Sequence, residues 1–434
     1  MQSSLIITAD WERLDEGPLE ERACFAALGV LGNNHWMTEG HDSYVNRVRS
    51  APLLSAYHLA EWFAWNWWRL RWEPRSRAPD WAFAHRMATI GEGYVWPNIT
   101  IISDGDWTAL IARPTTDRAE TAFRYISDRS VIMPSPVFEN AVDQFANQVL
   151  GQLQAESVQN TNLQRLWSEL GTERRDRDAA RRRKLEALLG CEPDESDATI
   201  IERLIHDAQL FGERAVEELA ADRAQGGGLL AADDLRQLAN INGFDASPRD
   251  AIRLAPGGLP LPRDVKAWQL GADAARAARE RNGLGDGPID NKRLAELAGT
   301  TAGALTDTRH GPRISFALDH NETQSRIVLR SRWPTGRRFE LARLLGERIV
   351  ASPQGRLHAA TRAYTYRQKM QRSFAAELLS PFEVVDQMLA GDYSGEAQQD
   401  VAEQFQVSEL TIRTLLVNHR RLEREELDED LVAA

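Results

Sequence analysis

The first 150 residues combine short apolar runs, typical of strands, with one strongly apolar segment. Residues 55–71 contain no glycine or proline and are apolar around most of a helical circumference, which predicts a buried helix. The run 95–114 then alternates and turns at Asp104-Gly105, which predicts a β-hairpin. We expect its inward faces to carry Ile99, Ile101, Trp107, Ala109 and Ile111.

Tryptophan is concentrated in this same region. Ten of the 13 tryptophans lie between Trp11 and Trp107. Such rings suit stacked bases, sugars or a cage around a cation. Because the densest cluster falls in an apolar helix with few basic neighbours, the pattern favours a core packed with large rings.

Residues 151–225 have the spacing of amphipathic helices. Their apolar stripes consist of Leu163, Leu166, Trp167 and Leu170, and of Leu185, Leu188 and Leu189. Acidic residues interleave with arginines in 173–184, so we expect an exposed helix with ion pairs rather than a phosphate-binding surface. The glycine-rich segments 226–228 and 256–260 predict turns or linkers.

The last third of the chain alternates strands and helices. Residues 313–319 and 326–333 predict two strands, and 337–350 predicts a helix. A second helix ends near residue 379, and a final helix pair follows, with a turn at 405–407 and Ser408 as an N-cap.

These patterns together predict a predominantly helical α+β protein. We expect four regions: a Trp-rich α/β domain over 1–150, a helical region with Gly-rich linkers over 151–290, a domain over 291–385, and helix–turn–helix-like helices with an acidic tail over 386–434.

Composition narrows the classes of protein. With 52 Lys and Arg against 64 Asp and Glu, the formal net charge of −12 argues against a chain-wide nucleic-acid coat. Cys24 and Cys191 are the only cysteines, which excludes a disulfide scaffold and fits a reducing cytoplasm. The most apolar stretch, 55–72, falls short of the roughly 20 residues that a membrane span needs. We therefore expect a cytoplasmic protein with no membrane segment.

Three fragments occur in a specific order: FELARLLGE at 339–347, FAAELLSP at 374–381 and FQVSELTI at 405–412. In this order and spacing the chain resembles the ImmA/IrrE family of zinc peptidases over about residues 310–420. The resemblance implies a zincin-like domain with a small sheet. It rests on the scaffold residues Phe339, Ala342, Gly346, Phe374 and Leu378.

The catalytic positions of the family are replaced in this chain. The resemblance puts Arg343 and Glu347 at the two histidine positions, Leu344 at the general-base position and Gln368 at the third ligand position. An arginine does not lose its proton and cannot bind zinc, and leucine cannot accept a proton from water. We therefore expect no catalytic residue, no metal and no other cofactor. Arg343 and Glu347, four apart, are predicted to form an ion pair in place of the metal.

These features predict a non-catalytic regulatory or sensor protein, that is, a pseudoenzyme. We expect it to act by binding another protein or, as a second option, a small ligand. Catalytic members of the family act on helix–turn–helix repressors. By resemblance, the partner is such a repressor or a component of a defence system. The setting is bacterial stress response or defence against phage and mobile elements.

Two alternatives remain open. In the first, residues 397–421 bind DNA as a helix–turn–helix, with Thr411, Arg413, Thr414 and Asn418 as readers, although Glu409 and the acidic tail oppose this. In the second, an active zinc endopeptidase uses unusual ligands. The candidates are His310, His320, His358 and Glu377, or, near the N-terminus, His35, Glu39, His41 and Asp42.

Overall fold

A computed structural model describes residues 4–115, 122–254, 265–309, 311–350 and 355–423. The chain is α+β, with about 50% helix, 16% strand and small antiparallel sheets. It divides into two compact units, Met1–Ile201 and Glu202–Ala434. Of the region predicted over residues 151–290, residues 151–201 therefore belong to the first unit and residues 202–290 to the second. The predicted linker at 256–260 and His310 lie outside the described residues.

The first unit contains three small antiparallel sheets, with strand orders β1-β2-β3 (β6 also pairs with β2), β5-β4-β9 and β10-β8-β7. The strands are β1 (Leu5–Trp11), β2 (Phe25–Gly32), β3 (His35–Trp36), β4 (Gly40–Asp42), β5 (Arg47–Arg49), β6 (Leu53–Ser55), β7 (Ile99–Ser103), β8 (Trp107–Ala112), β9 (Phe123–Tyr125) and β10 (Arg129–Pro134). The helices are α1 (Leu19–Ala23), α2 (Ala56–Trp72), α3 (Trp81–His85), α4 (Ser135–Ala155), α5 (Asn162–Arg175) and α6 (Arg177–Leu188), with a short 3-10 turn at Met87–Thr89.

Helix α2 is the buried helix that the sequence predicts. The side chain of Ser55 caps it by accepting from the N–H of His58 at 3.3 Å. Trp62, Trp67 and Trp68 are buried in the core of the unit, as expected for tryptophans that pack rather than bind, whereas Trp65 is 58% exposed.

The predicted hairpin is formed by β7 and β8, but the prediction of which β8 residues face the core is wrong. Ile99 pairs with Ala112 and Ile101 pairs with Leu110. Cross-strand partners point to the same face of an antiparallel sheet, so Leu110 and Ala112 are buried. Trp107, Ala109 and Ile111 lie on the other face, half-buried. Ser103 pairs with Thr108 across the turn. The register is therefore offset by one residue from the predicted one, and this offset exchanges the two faces of β8.

The charged segment 173–184 has the predicted ion pairs, but it is two helices rather than one. Helix α5 ends at Arg175, and the side chain of Asp176 caps α6 by accepting from the N–H groups of Asp178 and Ala179. Arg183 pairs with Glu173 at 2.7 Å and with Glu186 at 2.9 Å.

The second unit is built around one antiparallel sheet of order β11-β13-β12-β14. Its strands are β11 (Phe244–Ala246), β12 (Ser315–Asp319), β13 (Ser325–Val328) and β14 (Leu357–Ala360). Its helices are α8 (Glu213–Arg223), α9 (Ala232–Asn242), α10 (Ala267–Arg281), α11 (Asn291–Leu297), α12 (Gly303–Thr306), α13 (Pro334–Val350), α14 (Tyr366–Leu379), α15 (Phe382–Leu389), α16 (Gly395–Phe405) and α17 (Glu409–Asn418). Helix α7 (Ala198–Phe211) contains the boundary between the units.

Helices cover both faces of this sheet. Phe316 and Leu318 of β12 pack with α8 and α9, whereas Ala317 between them packs with α13 and α14. Because both faces are covered, every residue of β14 is buried. The predicted second strand ends at Val328, five residues before the predicted end.

Two glycines allow α10 and α13 to approach α14 closely. A Cβ on Gly346 would lie 2.6 Å from the ring of Phe374, and one on Gly271 would lie 2.3 Å from the carbonyl oxygen of Met370. Phe374 itself is fully buried. The glycine of the FELARLLGE fragment therefore has a packing role.

Buried arginines join the segments of this unit through uncharged oxygens. Arg338, which is 1% exposed, donates to the carbonyl oxygens of Ile289 (2.6 Å) and Gln406 (3.2 Å) and to Oδ1 of Asn291 (2.6 Å). One guanidinium thus connects α13 with residues near α11 and with the turn between α16 and α17.

The final helix pair has the predicted form. Gln406 adopts a left-handed conformation in the turn, and Ser408 caps α17 by accepting from the N–H of Thr411 at 3.3 Å. None of the helices in the described ranges is long and apolar enough to cross a membrane.

Candidate functional site

The three positions that the resemblance assigns to zinc ligands come together in the second unit. Arg343 of α13 donates through Nη2 to Oε1 of Gln368, in the first turn of α14, at 2.5 Å. Glu347, one helical turn after Arg343, accepts from Nε2 of Gln371 at 2.9 Å. Gln368 and Gln371 both donate to the carbonyl oxygen of Ala359 in β14, each at 3.0 Å. We call residues 343, 347, 368 and 371 the α13–α14 polar cluster.

Arg343 and Glu347 do not form the predicted ion pair. Arg343 binds Gln368 and the carbonyl oxygen of Thr361, the latter at 2.8 Å, whereas Glu347 forms an ion pair with Arg367. An i,i+4 pair was expected from helix geometry alone. Both side chains are buried, and acceptors and donors from α14 and from the segment after β14 replace the expected partner.

Among the described residues, no carboxylate contacts the buried guanidinium of Arg343. The acceptors found there are an amide and a main-chain oxygen, and no described atom forms a hydrogen bond with its Nε. Burial, reinforced by the charge of Arg372, lowers the pKa of Arg343 to about 9. The guanidinium therefore stays charged at neutral pH, in a place where desolvation is costly.

Leu344, at the general-base position, is 2% exposed and belongs to the apolar core. It has no polar atom with which to orient or deprotonate water, so the arrangement offers no base at this position.

A second buried carboxylate borders the cluster. Glu218 of α8 accepts from the hydroxyl of Thr365 at 2.8 Å and 3.0 Å, and burial raises the pKa of its carboxyl group. No sequence pattern indicates that Glu218, 125 residues before Arg343, lies near this site. Arg367 and Gln371, by contrast, flank Gln368 and can be found once α14 is recognised.

The α13–α14 polar cluster does not fit zinc. Its side chains are a guanidinium, two amides and one carboxylate that is already paired, whereas a zinc site needs three neutral-nitrogen or anionic donors. Across the described parts of the chain, no group of three or more His, Cys, Asp and Glu residues is arranged to hold a metal ion.

The alternative ligands are separated from one another. His358 is buried and contacts Asp319 through Nε2 at 3.1 Å, whereas His320 is exposed in the turn between β12 and β13. Glu377 pairs with Arg276 at 3.2 Å. In the first unit, His35 lies on β3 and His41 on β4, two different sheets, Asp42 pairs with Arg49 at 3.0 Å, and the backbone oxygen of Glu39 accepts from Ile126.

The four residues proposed as DNA readers lie on α17, but most are engaged within the protein. Thr411 is buried, and its hydroxyl contacts that of Ser408 at 2.9 Å. Arg413 pairs with Glu409 at 2.8 Å, and the hydroxyl of Thr414 donates to Leu410 at 2.7 Å. Asn418 is half-buried in the last turn. DNA binding therefore stays a prediction, with no observation that favours it.

Comparison of the chain with protein-family models, with curated proteins and with solved structures gives no match.

Proposed function

We propose that the protein is a non-catalytic regulatory protein whose second unit is a degenerate ImmA/IrrE-type peptidase fold that binds another protein. The observation that carries this proposal is the convergence of Arg343, Glu347 and Gln368. Arg343 and Gln368 lie 25 residues apart on two different helices, and with Glu347 they share one buried cluster. Such convergence supports a common ancestry of the site with a metal centre.

The chemistry of the cluster supports a role without catalysis. In a zinc peptidase a metal cation and a glutamate activate water. Here the guanidinium of Arg343 provides a fixed positive charge that has no open coordination position. Leu344 provides no base. The scaffold can therefore form without metal, while hydrolysis has no group to start it.

The partner in this proposal is a protein. The resemblance points to a helix–turn–helix repressor or a component of a defence system, in bacterial stress response or in defence against phage and mobile elements.

Restoring the ligands tests the proposal. The variant Arg343→His/Glu347→His/Gln368→Glu rebuilds the family pattern, and we expect it to bind about one zinc per chain, measured by elemental analysis after dialysis. A matched control, Arg343→Asn/Glu347→Asn/Gln368→Glu, changes the same three positions but supplies no imidazole to bind the metal. We expect the control and the natural protein to bind no zinc.

Two results would overturn the proposal. One is near-stoichiometric zinc in the natural protein. The other is a folded restored variant, judged by circular dichroism and a cooperative melt, that binds no more zinc than the control. In the second case the three positions would be an ordinary buried polar cluster.

A further inference from the structure

A half-exposed surface of the first unit combines aromatic rings with carboxylates. Its rings belong to Phe25 at the start of β2, His58 in the first turn of α2, and Tyr94 in the loop before β7. The ring centroid of Tyr94 lies 6.3 Å from that of Phe25 and 6.4 Å from that of His58. We call these rings, with Glu20, Glu21 and Glu61, the aromatic–carboxylate surface.

Hydrogen bonds place Glu21 and Glu61 beside the rings, and Glu20 precedes Glu21 in the first turn of α1. Glu21 accepts from the hydroxyl of Tyr94. Glu61 accepts from the hydroxyl of Tyr57 at 3.3 Å, and the Tyr57 ring lies 5.6 Å from that of His58. Burial, followed by the charges of Glu61 and Glu20, raises the pKa of Tyr57 to about 12. The surface is therefore negative as well as aromatic.

These carboxylates have no cationic partner within the described part of the chain. Several other half-buried carboxylates of this unit are paired with arginines, for example Asp143 with Arg174 and Glu173 with Arg183, each at 2.7 Å. Glu61 instead accepts from the amide of Asn162 at 2.7 Å. The nearby Arg165 donates to the other side of that amide, also at 2.7 Å.

The combination selects one kind of cation. A metal ion is not favoured, because no three of these residues are arranged to hold one. A guanidinium, by contrast, is planar and weakly hydrated, stacks on tyrosine or phenylalanine, and binds carboxylates through two parallel hydrogen bonds. Lysine would gain the charge interaction but not the flat stacking.

We propose that the aromatic–carboxylate surface binds an arginine side chain presented by a partner protein. This proposal goes beyond the proposed function. It does not depend on the peptidase-like interpretation of the second unit, because all residues of the aromatic–carboxylate surface belong to the first unit. The zinc-restoration experiment and the experiment below can therefore fail separately.

The test uses the full chain and a fluorescein-labelled nona-arginine peptide, with affinity measured by fluorescence anisotropy at about 0.15 M salt. We expect Glu20→Gln/Glu21→Gln/Glu61→Gln to weaken binding by about tenfold or more. The control Glu12→Gln/Glu169→Gln/Asp178→Asn removes the same charge from exposed positions elsewhere in the unit, and it should change the affinity by no more than about twofold.

The rings are tested separately. The natural protein should bind nona-arginine more tightly than nona-lysine, and Tyr94→Leu should abolish this preference. If the triple variant does not fold, Glu61→Gln alone should still weaken binding by about threefold. Equal weakening by the two triple variants, or equal affinity of the natural protein for both peptides, would mean that only the overall negative charge attracts cations and would overturn the proposal.

Discussion

The guanidinium of Arg343 donates to the side-chain oxygen of Gln368 at 2.5 Å, and the backbone N–H of Thr361 donates to the same oxygen at 2.8 Å. The contact connects α13 with α14 and with the segment between them. Because no carboxylate in the described part of the chain contacts Arg343, this amide provides much of the solvation of a buried charge.

Removing the amide of Gln368 alone should destabilise the protein more than removing both Gln368 and Arg343. We expect Gln368→Ala to lower the free energy of unfolding by about 3 kcal/mol or more, since it leaves a buried cation with a single acceptor. Arg343→Met/Gln368→Ala should be less destabilised than Gln368→Ala, because the charge is gone. Urea denaturation of the three proteins measures this. A double variant that is less stable than Gln368→Ala would show that the charge itself does not create the requirement.

Gly346 should tolerate no side chain. A Cβ there would lie 2.6 Å from the Phe374 ring, so we expect Gly346→Ala to destabilise the protein by about 1–3 kcal/mol. Gly151 offers a matched control, since it also lies inside a helix but has nothing within 4 Å of its Cβ position. We expect Gly151→Ala to stabilise the protein by about 0.5–1 kcal/mol. Opposite signs in chemical denaturation are the expected outcome, and equal effects would contradict this account.

Arg338 should not be replaceable by lysine. Its planar guanidinium donates to three oxygens in different segments. The single ammonium group of a lysine at the same position cannot reach all three. Burial also lowers the pKa of Arg338. We expect Arg338→Lys to cost about 2–4 kcal/mol of stability. Arg281→Lys, at an exposed position in the last turn of α10, should have an effect within about 0.5 kcal/mol. Thermal melts of both variants check the difference.

His419 should make the second unit less stable in acid. Its ring stacks on Phe382 at 3.5 Å between centroids. Burial, followed by the charge of Arg276, lowers the pKa of His419 in the folded protein. The unfolded chain, with a pKa of about 6.5, therefore binds the proton more readily. The stability from the neutral ring is present above about pH 6.5 and is lost as the pH falls.

The variant His419→Phe keeps a stacked ring and removes the titration. The free energy of unfolding of the natural protein should fall more between about pH 7.5 and 5.5 than that of the variant. Urea denaturation at several pH values gives the comparison. Parallel curves would show that the His419 ring does not contribute to the acid sensitivity.

Local features of the fold could be read from the sequence. Helix α2, the hairpin β7–β8, the strands β12 and β13, and the Ser408 cap all follow from short-range patterns. The face of β8 could not, because it depends on whether the connecting loop has an odd or an even number of residues. The sequence pattern places the turn at Asp104-Gly105 but does not fix that number.

The candidate site divides in the same way. The resemblance points to Arg343, Glu347 and Gln368, but the ion pair between Arg343 and Glu347 that helix spacing predicts is wrong. Their actual partners Thr361, Arg367 and Gln371 come from tertiary packing, and Glu218 comes from a distant helix. A buried side chain takes the nearest acceptor in space, and that choice requires the fold.

The contacts of Arg338 have a consequence for motion. The guanidinium of Arg338 connects α13 to the carbonyl oxygen of Gln406, in the turn between α16 and α17, so that this helix pair cannot move away from α13 without breaking a partly buried hydrogen bond. Regions joined in this way unfold as one cooperative element rather than fraying separately. In hydrogen exchange, the amides at the centres of α16 and α17 should therefore exchange with the same opening free energy as those of α13.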